Sequence, residues 1–310
     1  MSLPQLSDSP FALLFAGQGA QKVGMGADLP EMQELLKEAD EILGRSLSKV
    51  VLEGPEEDLT RTGNCQPALY VHGLACLKAV QRVTSNRLNF QAAAGLSLGE
   101  FTAHCAAGTF DFATGLKVVA RRGELMEQAC EKYPGTMTAL IGGELEAIEN
   151  LAQEADVDIA NLNTPGQVVL SGTLEGIQKA AEIAANFGVR KVIPLTVAGA
   201  YHSRLMQSAQ DELAEVLASI DLQMPRVPVP SNSLGQPATN VEEIRQSLVK
   251  QVTGTVRWTE NIEGMLAFGM THFLELGPGK VLTGMVGRIR KGTPCVAVED
   301  AESLAQLTTA

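Results

Sequence analysis

The sequence predicts an α/β fold: a mostly parallel β-sheet covered by helices on both faces, with a small β-α-β-β-α-β unit inserted into it. Three observations predict it. Short apolar runs alternate with helix-length amphipathic segments towards both ends of the chain, the pattern of strand–helix–strand crossovers. The run Gln91-Ala92-Ala93-Ala94 leads into Gly95-Leu96-Ser97-Leu98-Gly99-Glu100 and then a helical stretch from Phe101 to Gly108, a strand, sharp turn and helix in immediate succession. Between about residues 132 and 200 the alternation changes to strand, helix, strand, strand, helix, strand.

Composition narrows the class. At 310 residues the chain is long enough for two domains and a sizeable core. A hydrophobic content of 45% with 19% charged residues describes a soluble globular protein. No apolar run approaches the ~18 residues of a membrane helix. No Lys or Arg precedes Phe11–Ala16, so this run reads as a first strand and not a secretory signal, and a cytoplasmic protein is expected. The five cysteines, Cys65, Cys76, Cys105, Cys130 and Cys295, are odd in number and form no Cys-x-x-Cys pair. That suits free thiols in a reducing compartment and carries no zinc signature. A net charge of −12 argues against a general nucleic-acid binder. Basic clusters at Lys117/Arg121/Arg122, Arg190/Lys191 and Lys280/Arg288/Arg290/Lys291 are solvated faces or local steering sites for acidic ligands.

Taken in order, Phe11–Ala16 is a buried strand entering Gly17-Gln18-Gly19. A dinucleotide fingerprint is excluded there, because its third small residue would fall on Lys22. Helices are expected at Glu31–Leu43 and Pro67–Val83, then the strand and turn around Ser97. Asp111 is a suitable N-cap for a helix to about Glu131. Val118, Arg122 and Leu125 share one face of it. An arginine in an apolar stripe needs an anion if buried, since an unpaired buried charge is expensive. Next come strand Thr136–Ile141, helix Glu144–Ala155, strand Val157–Asn161, a turn at Pro165-Gly166, strand Gln167–Ser171, helix Leu174–Phe187 and strand Val189–Leu195. This order is that of a ferredoxin-like unit inserted at 132–200; the other possibility is that its strands extend the main sheet. Helix Ser203–Ile220, strand Val227–Val229, helices Val241–Val252 and Trp258–Phe268, strand Thr271–Leu276 and helix Lys280–Ile289 complete the expectation.

Gly-x-Ser-x-Gly between strand and helix is a nucleophile elbow if it is not an ordinary Gly-Ser turn. The tight turn excludes bulk two residues either side of the serine, exposes its hydroxyl, and aims the first helical N–H groups at whatever the hydroxyl attacks. A serine needs a base. His104 is seven residues further along the same helix, about 10 Å up the axis and out of reach. His72 lies in an apolar helix, and His272 opens a strand at the end away from where such sheets build sites. His202 follows a strand and precedes a helix, after the serine in chain order, and is the candidate base. Asp156 and Asp158 are poor third members, so an amide or backbone carbonyl is left to orient the imidazole.

These residues resemble those of the malonyl-CoA:acyl carrier protein transacylases. The resemblance runs from Phe15-Ala-Gly-Gln-Gly-Ala-Gln21 through Gly95–Glu100, Arg121-Arg122-Gly123, Asn161–Val169, Tyr201-His202-Ser203, and Gln251 ahead of Val256-Arg257-Trp258, to Glu275-Leu-Gly-Pro-Gly-Lys280. It implies an α/β-hydrolase-like core of residues 1–131 and 201–310 with a ferredoxin-like subdomain at 132–200. It implies Ser97 as acylated nucleophile, His202 as base and acid, and Gln251 as the residue whose main-chain carbonyl orients that histidine. Gln18 and Leu98 would supply oxyanion N–H groups. Arg122 would pair with the malonyl carboxylate, while Asn161 and Gln66 would line the site. Malonyl-CoA and a phosphopantetheinylated acyl carrier protein are the implied partners, with no bound cofactor, metal, nucleic acid or membrane. Two positions depart from the family: Leu96 stands where histidine is usual, and Tyr201 where phenylalanine is common. A serine hydrolase, a carrier-protein binding module and a polyketide acyltransferase acting in trans are the competing readings.

Overall fold

The computed structural model describes residues 9–85 and 87–309. Its strands are β1 (Phe11–Phe15), β2 (Ala92–Gly95), β3 (Thr136–Gly142), β4 (Asp158–Thr164), β5 (Gln167–Gly172), β6 (Val189–Pro194), β7 (His272–Leu276) and β8 (Cys295–Val298). Its helices are α1 (Pro30–Leu43), α2 (Leu47–Glu53), α3 (Glu56–Thr60), α4 (Thr62–Val83), α5 (Leu98–Ala107), α6 (Phe112–Lys132), α7 (Leu145–Ala155), α8 (Leu174–Ile183), α9 (Gln207–Ala218), α10 (Val241–Lys250), α11 (Trp258–Ala267), α12 (Val281–Ile289) and α13 (Ala301–Thr309).

A parallel sheet of order β2-β1-β7-β8 forms the larger layer. β1 is apolar at every position because both its faces are covered. Phe11, Leu13 and Phe15 face the larger core with α4 and α6, while Ala12 and Leu14 face Trp258, Ile262 and Leu282 on the other side. Phe15 pairs with Gly95, so the loop after β1 and the turn after β2 emerge side by side.

The second sheet has the order β4-β5-β3-β6 and is antiparallel throughout. One face packs on α7 and α8 through Leu140, Ile148, Leu151, Leu170 and Ile177. The other contributes Met137, Ala139, Ala160 and Val169 to the larger core. Val256 N–H bonds the Ala160 carbonyl at 2.8 Å and its carbonyl accepts from Leu162 N–H at 2.9 Å, which draws β4 towards the larger layer.

Several elements differ from expectation. α4 begins at Thr62, not Pro67. Proline has no N–H for the Gly63 carbonyl one turn back, which would ordinarily mark a helix start. Arg45 Nη2 donates to that carbonyl at 2.8 Å instead. Val227–Val229 forms no strand; the Pro228 carbonyl accepts one bond from Ala93 N–H at 3.1 Å, but the prolines at 228 and 230 cannot donate a ladder. The short elements α2, α3, β8 and α13 were not expected.

Three of the four histidines are buried, and burial pushes each down to about 4: His72, His104 and His202. His72 Nε2 meets the Glu299 carbonyl at 3.0 Å, and His104 Nδ1 meets Thr109 Oγ1 at 2.9 Å. Their folded values lie below the ordinary 6.5. The stability they confer is therefore complete above 6.5 and is lost as pH falls towards 4. Glu100 and Glu275, raised by burial, act in the opposite sense but are fewer. The denaturation midpoint should fall steadily from pH 6.5 to pH 4, with net proton uptake on unfolding. A flat midpoint across that window would contradict it.

Candidate active site

β2 ends at Gly95 and α5 starts at Leu98, which leaves Ser97 in the turn at φ 52° and ψ −108°. A non-glycine residue held there costs about 1–3 kcal/mol and must be held by its surroundings. The flanking glycines are required by space. A Cβ on Gly95 would lie 1.8 Å from the Gly99 carbonyl carbon, and one on Gly99 would lie 2.1 Å from the Phe15 carbonyl oxygen. Two side-chain amides hold the serine backbone: Asn232 Oδ1 accepts from its N–H at 2.6 Å, and Gln251 Nε2 donates to its carbonyl at 2.9 Å.

His202 Nε2 lies 2.8 Å from Ser97 Oγ. On its other side, Nδ1 lies 2.8 Å from the Gln251 carbonyl oxygen. A carbonyl only accepts, so Nδ1 carries the proton and Nε2 is free to accept one from the serine. Burial, reinforced by the charge of Arg122, keeps the imidazole neutral and pushes it down to about 4. The orienting group is thus a backbone carbonyl. Asp156 and Asp158 are engaged elsewhere, on Arg204.

Arg122 is 1% exposed. Its Nη1 donates to Gln66 Oε1 at 2.7 Å, and its Nη2 donates to Gln251 Oε1 at 2.8 Å and Ser97 Oγ at 3.1 Å. The guanidinium lies 5.3 Å from the centre of the Phe101 ring. Its hydrogen bonds go to amides and a hydroxyl, and its buried Nε has no partner among the described residues. Burial pushes its pKa down to about 10. A buried cation hydrogen-bonded only to neutral groups, beside an activated hydroxyl, is a ready seat for an anionic substrate group.

A cavity of about 450 Å³ opens over Ser97 and His202 and is lined also by Gln18, Leu96, Asn161 and Tyr201. Gln66 stands behind Arg122 and donates to Gln18 Oε1 at 3.3 Å. Leu98 is the first residue of α5, so its N–H is at the positive end of that helix. Ser97, His202, Gln18 and Asn161 thus line the cavity, while Gln251, Arg122 and Gln66 adjoin them through the hydrogen bonds above and Leu98 follows Ser97 at the start of α5. Leu96 turns the cavity wall apolar. Tyr201 lines the cavity but its hydroxyl is bound to Thr62 Oγ1 at 2.6 Å. A separate groove of about 1070 Å³ between Lys117, Arg121 and Arg226 holds none of these groups. Arg121 pairs there with Glu124 and Glu212.

Sequence reasoning missed Asn232 and gave Glu100 no task. Asn232 lies in an irregular loop with no motif, and only the tertiary fold brings it to the elbow. Glu100 lay inside the motif, and a carboxylate in an otherwise apolar first helical turn was the available signal.

A model of the acyl transferase domain matches residues 12–306. The malonyl CoA-acyl carrier protein transacylase of Bacillus subtilis is 39% identical over 305 residues, covering 96% of this chain and 95% of that protein. The polyketide biosynthesis malonyl CoA-acyl carrier protein transacylase PksC of the same organism is 42% identical over 283 residues, covering 90% and 96%. The crystal structure of an acyl carrier protein S-malonyltransferase from Vibrio cholerae superposes with a TM-score of 0.91 at 40% identity, covering 97% of this chain and 100% of that one. With an elbow serine, its histidine and a buried arginine assembled in one cavity, and with relatives matching over almost its whole length, the chain belongs to the acyl transferase domain family.

Proposed function

We propose that the protein transfers a malonyl group from malonyl-CoA to the phosphopantetheine thiol of an acyl carrier protein, through a malonyl-Ser97 ester, for fatty-acid synthesis. The observation that carries this reading is Arg122 Nη2 at 3.1 Å from Ser97 Oγ. A buried cation at the nucleophile selects an acyl group that brings its own carboxylate. The names of the relatives point to the same reaction.

In the first half-reaction the malonyl carboxylate meets Arg122, with Asn161 and Gln66 lining the site. His202 Nε2 takes the Ser97 proton as Oγ attacks the thioester. The N–H groups of Gln18 and Leu98 hold the oxyanion, each worth on the order of 3 kcal/mol in the barrier. The thioester C–S bond breaks and His202 returns the proton to the leaving thiol of CoA. In the second half-reaction His202 takes the proton of the carrier's thiol, whose sulfur attacks the seryl ester; the ester C–O bond breaks and His202 returns the proton to Ser97 Oγ. The scheme calls for no resident cofactor.

The chain is read as an α/β-hydrolase-like catalytic part, 1–131 and 201–310, and a ferredoxin-like subdomain, 132–200; residues 1–8, 86 and 310 lie outside the described residues. The second sheet's strand order supports the subdomain. Five free thiols suit the cytoplasm. The exposed groups Arg288, Arg290 and Lys291 at the end of α12, whose Val281 and Met285 border the cavity, are the preferred docking site for an acidic carrier, with Arg190 and Lys191 second. The 42% identity with PksC favours, as the second reading, a polyketide acyltransferase acting in trans.

Intact-mass analysis tests the reaction. The wild type should gain one malonyl group from malonyl-CoA, far less acetyl from acetyl-CoA, and lose the malonyl group on addition of holo acyl carrier protein. Loss of the adduct to water at the same rate with or without carrier would instead make the protein a hydrolase.

A further inference from the structure

Glu100 has no step in acyl transfer, yet it is fully buried in the first turn of α5, and its Oε2 is where two grips on the nucleophile meet. Gln251 Nε2 donates to that oxygen at 2.6 Å and the Asn232 N–H at 3.1 Å. The same two residues hold the two sides of the Ser97 peptide backbone, at 2.6 Å and 2.9 Å. Asn232 also anchors the residue before the turn, donating from Nδ2 to the Gly95 carbonyl at 2.8 Å. A carboxylate only accepts hydrogen bonds, so it dictates which way the Gln251 amide faces. The NH₂ must point to Glu100 and the oxygen to Arg122, where it accepts at 2.8 Å. The flipped amide would set oxygen against oxygen and NH₂ against guanidinium.

We infer that Glu100 and Asn232 are positioning residues: together they hold Ser97 in its left-handed conformation, and Glu100 sets the Gln251 amide that aligns Arg122 beside the nucleophile. The inference depends on Ser97 being the nucleophile of the proposed reaction.

A carboxyl that merely filled space would leave reactivity indifferent to its charge. Glu100 differs in being poised to change charge. Burial raises it to about 7, opposed by the hydrogen bonds from Gln251 and Asn232, by the nearby Ser231 and by the charge of Arg122. Its Oε1 has no hydrogen-bond partner among the described residues. The one charged group facing it is Arg122 from α6; the loop carrying Ser231 and Asn232 and the Gln251 side chain present neutral groups, and His202 lies beyond Gln251. Protonation weakens its hold on both amides and leaves Arg122 without a countercharge. Ser97 should then react faster as pH rises through about 7.

Phenylmethanesulfonyl fluoride, a neutral probe, reads this without using an acyl-CoA. Ser97 Oγ bonds to sulfur, the S–F bond breaks, fluoride leaves and the serine proton passes to His202. In the wild type the labelling rate, followed by intact mass, should rise through pH 7. Glu100→Gln keeps an acceptor oxygen and should melt cooperatively, yet show a flat rate across that window. Asn232→Ala should label on the order of 10²-fold more slowly, the scale expected when a reacting group is misplaced by about an ångström. A wild type that does not label or shows no inflection near pH 7, a Glu100→Gln profile that overlays the wild type, or an Asn232→Ala variant labelling at the wild-type rate would overturn the inference. If Asn232→Ala does not fold, Glu100→Gln decides alone. Labelling with the expected pH dependence, but no adduct from malonyl-CoA, would sink the malonyl reading and leave the positioning role standing.

Discussion

Ser97→Ala will abolish the malonyl adduct, and His202→Ala will slow its formation about 10⁴-fold, with both variants folding as the wild type does. The serine variant loses the oxygen that joins the imidazole and the guanidinium: Oγ lies 2.8 Å from His202 Nε2 and 3.1 Å from Arg122 Nη2. The histidine variant keeps the hydroxyl, the helix N-terminus and the arginine, and loses the proton acceptor. Because His202 is neutral down to about pH 4, the wild type keeps its base across the whole neutral range and its rate should level off above the Glu100 transition near pH 7, while the His202→Ala rate should go on climbing with hydroxide. Single-turnover mass spectrometry with malonyl-CoA reads both. An adduct that survives in Ser97→Ala would place acylation on another residue and end the mechanism; His202→Ala acylating within tenfold of wild type would remove the imidazole from it.

The elbow serine was legible because the turn's requirement is steric and local. Any side chain at Gly95 or Gly99 collides with backbone, so the turn leaves a spaced pair of glycines in the sequence. His202 was legible by elimination, since its rivals fall within helices or at the wrong end of a strand. Arg122 showed itself as a charge in an apolar stripe. The orienting carbonyl of Gln251 was invisible in the residues themselves, because every residue has a carbonyl and only the fold decides which one faces the imidazole; the family resemblance supplied it, as it supplied Gln18, Leu98, Asn161 and Gln66. Asn232 had no such help. It enters the site, fully buried, from an irregular loop, and in the sequence neither its spacing nor its neighbours separate it from a surface-loop asparagine. The start of α4 was misplaced for a related reason: Arg45, seventeen residues before Thr62, takes the carbonyl that Pro67 strands.

Arg122→Ala will erase the preference for malonyl-CoA. The kcat/KM for malonyl-CoA should fall by about 2–5 kcal/mol, or roughly 30-fold to several thousandfold, the range for truncating one partner of a buried charge pair. The direction for acetyl-CoA is the opposite. Arg122 is held at 1% exposure by Gln66, Gln251 and Phe101, and an acyl group without a carboxylate leaves that cation with no anion hydrogen-bonded to it next to the oxyanion's precursor and the base. Removing it leaves an uncharged cavity in which acetyl binds without that penalty. It also removes the second of the two causes that hold His202 low. The acidic limb of the acetyl-transfer profile should therefore move to higher pH in Arg122→Ala, upwards from about 4 towards the ordinary histidine range. The two effects separate recognition from general destabilisation. A variant that was merely loosened would lose both substrates in parallel and leave the pH limb where it was. Equal losses for malonyl-CoA and acetyl-CoA, with an unmoved limb, would mean that the arginine braces the elbow and that carboxylate selection resides elsewhere in the cavity.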